Sequence, residues 1–68
     1  VKTSGRKLRE LREALLDEAR KAEQQMYDQE SKVYGAIAIE DYSAAAVACH
    51  RAHQFKLVAK ALTEQAGA

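Results

Sequence analysis

Proline is absent from this chain of 68 residues, and glycine occurs only at Gly5, Gly35 and Gly67. Nearly every residue between the end glycines is therefore compatible with helix. Cysteine occurs once, at Cys49, which excludes a disulfide within the chain and suits a reducing compartment. No stretch approaches the roughly 18 consecutive apolar residues of a membrane span. The basic start leads into charged sequence, not into the apolar run of a signal peptide. A protein of the cytoplasm, without membrane contact, is the expectation. Val1 in first position suits either a fragment or a GTG start codon, the second pointing to a bacterial or phage-infected cell. The net charge of +1 is too small to select a partner.

The positive signal is helical periodicity. Leu8, Leu11, Leu15, Ala19, Ala22, Met26, Val33 and Ile37 recur at a period of 3.6 residues, with a polar gap at Gln29 and Glu30. A strict heptad fits less well, because the apolar position drifts through the first three turns. Thr3 or Ser4 is the expected N-cap, and Asp17 with Lys21 the expected favourable pair one turn apart. The helix either stops at Gly35 or continues through Ala36, Ile37 and Ala38 and breaks at residues 39–41. The second is favoured, because Asp41 is a good cap for the second helix. The predicted architecture is all-α. It is one domain over residues 1–68: a helix over about 4–38, a bend at 39–41 and an antiparallel helix over about 41–65.

Such a hairpin is too small to be stable by a wide margin. Its second helix carries small and apolar residues on more than one line: Ala45, Cys49, Ala52 and Ala59 on one; Ala44, Val47, Ala48, Phe55, Val58 and Leu62 on another. One neighbouring helix covers one line, so a second copy is expected to cover the other, giving a four-helix bundle. Ala45, Ala48, Ala52, Phe55, Val58 and Leu62 are the residues expected to carry self-association.

Charge is unevenly placed. Residues 1–12 have a net charge of +4, residues 13–30 of −4 and residues 31–68 of +1. A helix polarised in this way favours antiparallel pairing between copies. Lys2, Arg6, Lys7, Arg9 and Arg12 are the candidate contacts for nucleic-acid phosphates. Glu10 interrupts them and no aromatic is interleaved, so a solvated helix terminus is the preferred reading. Tyr27 and Tyr34 lie seven residues apart, on a line with Leu16, Arg20, Glu23 and Glu30. Tyrosine among charges is typical of interfaces, and Leu16, Arg20, Tyr27, Glu30 and Tyr34 are the candidate surface for a protein partner. Cys49, His50 and His53 are the nearest thing to a metal cluster. Cys49 and His50 point about 100° apart on a helix, so no chain completes a zinc site alone, and neither metal nor cofactor is expected. Nothing supplies an orienting group or an oxyanion hole for a catalytic Cys/His pair.

Residues 40–52 resemble the second helix of a tetratricopeptide repeat, or of the related microtubule-interacting and trafficking domains. Asp41 and Tyr42 match the turn, and Ala45 and Ala52 the small packing positions. Upstream the pattern is not kept. Gln29, Lys32, Val33 and Ala36 stand where the repeat has an aromatic residue, Leu-Gly and Tyr, and one helix pair is too little for an array. The likeness is one of helical-hairpin chemistry, and no family follows from it. The expected function is binding, by a small adaptor, regulator or inhibitor that presents a helical face. A nucleic-acid-associated regulator, or a structural subunit of a larger assembly such as a phage particle, is the alternative. An enzyme is the least expected class.

Overall fold

The computed structural model describes residues 4–67. Helix α1 spans Ser4–Ala38 and helix α2 spans Tyr42–Gly67, and the two pack side by side along a rod with extents of 60 × 13 × 11 Å. The fold is an all-α antiparallel hairpin. Of the two N-cap residues expected for α1, Thr3 lies outside the described residues.

The long first helix is supported by pairs along its exposed surface. Arg6 meets Glu10 at 3.5 Å, Lys21 meets Glu18 at 3.3 Å, and Gln24 donates to Asp28 at 3.4 Å. Asp17 pairs with Arg20, not with Lys21, because Lys21 is held by Glu18. Each such pair contributes a few tenths of a kcal/mol.

The bend is closed by backbone hydrogen bonds. Asp41 N–H donates to the Ala36 carbonyl and Glu40 N–H to the Ile37 carbonyl, both at 2.9 Å. That is the two-bond C-terminal closure in which the residue after the cap turns left-handed. Here that residue is Glu40, with φ of 58°. Asp41 then caps α2, its Oδ1 accepting from Ala44 N–H at 3.2 Å and its carbonyl from Ala45 N–H at 3.0 Å. Gly35 lies inside α1, where a Cβ would meet nothing within 4 Å.

Glutamate therefore occupies the left-handed position that suits glycine, and glycine occupies a helical position that suits alanine. Glu40→Gly is expected to raise stability by about 1 kcal/mol by relieving the left-handed strain. Gly35→Ala is expected to add about 1 kcal/mol through helix propensity. Urea unfolding followed by circular dichroism measures both. A loss of stability in Gly35→Ala would mean that another surface presses on the helix there.

Among the described residues, buried and half-buried side chains are confined to one line on each helix. On α1 the line is Leu15, Ala19, Ala22, Met26, Gln29, Val33 and Ala36; on α2 it is Ala45, Ala48, Ala52, Phe55, Ala59, Leu62 and Ala66. Steps of three and four alternate without exception, which is a heptad seam. The strict heptad thus does hold, but only from Leu15 onward. Leu8 and Leu11 precede the paired segment and are 64% and 57% exposed, and Leu11 alone is out of register, since Leu8 stands seven residues before Leu15. Ile37, also expected in the core, is exposed at the bend. Equal rise on both sides of the bend sets Ala36 level with Ala45, Val33 with Ala48, Gln29 with Ala52, and Met26 with Phe55. Further out, Ala22 is level with Ala59, Ala19 with Leu62, and Leu15 with Ala66. Every layer except Met26 with Phe55 contains an alanine, and that is what lets the helices come close along their length.

Candidate functional site

The two helices are unequal. With 35 residues against 26, α1 outruns α2 by nine, about 14 Å at helical rise. The end of α2, at Gln65 and Ala66, reaches a notch between Leu8, Leu11 and Leu15. Beyond it α1 has no neighbouring helix among the described residues. Arg6, Lys7 and Arg9 lie on this overhang, whereas Arg12 stands at its base and lines the notch with Gln65 and Ala66; all four are exposed, and Lys2 lies outside the described residues. Arg6 is paired with Glu10, whereas Lys7, Arg9 and Arg12 have no carboxylate within 4 Å among the described residues.

Leu16, Arg20, Glu23, Tyr27, Glu30 and Tyr34 each stand one residue past a seam position, so they form a line along the edge of the seam. All are exposed, with Tyr27 at 55% and Tyr34 at 73%. Two open grooves run beside this line. In the first, of about 330 Å³, Met26, Glu30, Val33 and Tyr34 face Cys49, His53 and Lys56. In the second, of about 400 Å³, Glu23, Met26 and Tyr27 face Lys56, Ala59 and Lys60. The α1 wall is acidic and aromatic, and the α2 wall carries Lys56 and Lys60 together with Glu64. An apolar floor with charged rims suits a chain segment lying along it.

The α2 residues expected to carry self-association are placed differently. Ala45, Ala48 and Ala52 are buried in the seam of the chain's own hairpin, and Phe55 and Leu62 are half-buried in it; Val58 alone of the six is exposed, at 48%. The two lines read from the sequence are each split by the structure. The seam takes Ala45, Ala52 and Ala59 from the first and Ala48, Phe55 and Leu62 from the second, and leaves Cys49, Ala44, Val47 and Val58 outside. A second apolar cluster lies at the bend, where Ile39 is 75% and Tyr42 65% exposed.

Cys49 is a free, exposed thiol that shares the first groove with His53. Among the described residues no three His, Cys, Asp or Glu side chains are placed to hold a metal ion, and no helix is long and apolar enough to cross a membrane.

The residue missed by reading the sequence is Gln29. Its polarity reads as a gap in the apolar pattern, but it is a seam member, and its Oε1 is buried with no hydrogen-bond partner. The signal was its heptad spacing from Ala22 and Ala36. No protein-family model, curated protein or solved structure matches the chain.

Proposed function

We propose that the protein is a small binding module, an adaptor, regulator or inhibitor without chemistry of its own, that presents the α1 edge to a protein partner in the cytoplasm. The observation that carries this reading is the exposure of Tyr27 and Tyr34 beside two apolar-floored grooves. Large rings held on a rigid helix and rimmed by Arg20, Glu23 and Glu30 have the composition of an interface anchor. The same surplus of apolar surface supports a homodimer. A structural role in a larger, phage-type assembly would use the same surface, and stoichiometric incorporation into a particle would distinguish it. The basic start of α1, where Lys7, Arg9 and Arg12 are unpaired among the described residues, supports nucleic-acid binding as the alternative. Leu8 and Leu11 on the same three turns favour a protein surface, and a steep salt dependence of DNA binding would decide for the alternative.

The test is the double change Tyr27→Ala/Tyr34→Ala in the immobilised chain, presented with host-cell extract beside the wild type. The variant is expected to keep its helical circular dichroism and to lose the partner that the wild type retains, at a cost of about 2 kcal/mol or more in binding. A variant that unfolds, or that retains the same partner equally well, removes the tyrosine line from the account.

A further inference from the structure

The two grooves beside the tyrosine line are one channel, because Met26 and Lys56 line both of them. From Glu23 to Tyr34 the channel runs about 17 Å along α1 at helical rise, and from Cys49 to Glu64 about 22 Å along α2. Its floor repeats every seven residues on both sides, with Met26 and Val33 from α1 and Ala52 and Ala59 from α2. Its rims differ in charge. Glu23 and Glu30 stand on the α1 rim; Lys56 and Lys60 stand on the α2 rim, with Glu64 one turn beyond. Glu23, Glu30, Lys56 and Lys60 are all exposed, and among the described residues no ion pair within 4 Å closes across the channel. We infer that the channel receives an amphipathic helix of a protein partner, about three to four turns long, with basic residues along one flank and acidic residues along the other.

Three observations choose this occupant. A floor that repeats every seven residues matches the repeat of a third helix laid along two others. An extended segment fits less well. The described residues offer no strand edge, so its backbone N–H and C=O groups would lie over an apolar floor without partners, whereas a helix bonds its own backbone. The opposed rims then select a helix with two different flanks. Such a helix sets its basic flank on Glu23 and Glu30 and its acidic flank on Lys56 and Lys60. A helix charged alike on both flanks meets one rim of its own sign. Turning the helix end for end exchanges its flanks, so the rims also fix its direction. Finally, Tyr27 and Tyr34 stand on the α1 rim at the same seven-residue interval, where their exposed rings receive the cations of the basic flank.

This inference rests on the reading of the α1 edge as a binding surface, and it names the occupant. Fluorescence anisotropy of labelled synthetic helices of about sixteen residues, titrated with the whole chain, tests it. Each peptide has leucine at its two apolar heptad positions. The first has lysine on one flank and glutamate on the other, the second lysine on both, and the third glutamate on both. The first is expected to bind about tenfold more tightly than either of the others, and to weaken as salt is raised. In Lys56→Glu/Lys60→Glu both rims are acidic, and the preference is expected to pass to the peptide with lysine on both flanks. Both lysines are exposed, so the variant should keep wild-type helicity. A second copy of the chain is the competing occupant, and the first peptide is expected to dissociate any dimer formed at this edge. Equal binding of the three peptides, binding of none, a preference that does not pass in the variant, or a dimer that the peptide fails to dissociate would each overturn the inference. Such a result, with partner capture still lost in Tyr27→Ala/Tyr34→Ala, would leave the binding surface standing and remove only the helix as its occupant.

Discussion

Ala48→Leu is expected to lower stability by about 1–3 kcal/mol, a large effect for an exchange of one apolar residue for another. Ala48 is 5% exposed and level with Val33, in a seam whose spacing is set by alanine. A leucine there cannot be accommodated by rotating a neighbour, because Val33 is β-branched and stiff at χ1. Unless the leucine turns into the open groove that Ala48 lines with Gln29, Ala36 and Arg51, the helices separate, and separation loosens the adjoining layers, Ala36 with Ala45 and Gln29 with Ala52. The hairpin has no second core to offset the loss: among the described residues, the buried ones are all alanine. Urea unfolding monitored by circular dichroism measures the effect, with Ala46→Leu as the control at an exposed position. Equal stability in the two variants would show that this face of α2 is not packed.

Gln29→Leu is expected to act in the opposite direction, raising stability by about 1–3 kcal/mol. The Oε1 of Gln29 is buried without a partner, level with Ala52, whose side chain has nothing to donate. A buried acceptor that gives up water and gains no bond carries its full desolvation cost, and leucine removes the acceptor while keeping nearly the same bulk. A polar residue at one seam position also serves to fix register in helical pairs. The same urea titration decides the matter. Unchanged or reduced stability in Gln29→Leu would show that the amide oxygen is satisfied in solution.

The all-α hairpin was legible because its signals are local. The absence of proline, the spacing of apolar residues and a capping aspartate after a helix-compatible run each act within one turn or two. Asp41 shows this: its side chain caps α2 through Ala44, three residues away in the chain. Which of α2's apolar lines faces α1 was not legible, because alanine is equally suited to a close seam and to an exposed helix surface. Ala45 and Ala48 are buried while Ala44 and Ala46 beside them are exposed, and only the partner helix makes them different. Gln29 was missed for a related reason. Polarity argued against burial, and the signal in its favour was the heptad set by the pairing as a whole. The α1 edge of Leu16, Arg20, Tyr27, Glu30 and Tyr34 was legible as a line, since a helix fixes which residues share a face.

The central claim is that the working surface of the protein is the α1 edge, while α2 serves mainly to hold α1 in place. A ¹⁵N–¹H correlation spectrum followed from micromolar to millimolar concentration tests this most directly, because interface amides shift as copies meet. The account predicts that the shifts concentrate along the α1 edge over residues 16–34 and move together, with Val47, Leu57 and Val58 unmoved. Shifts concentrated at those three α2 residues, or a spectrum that does not change with concentration, would contradict it.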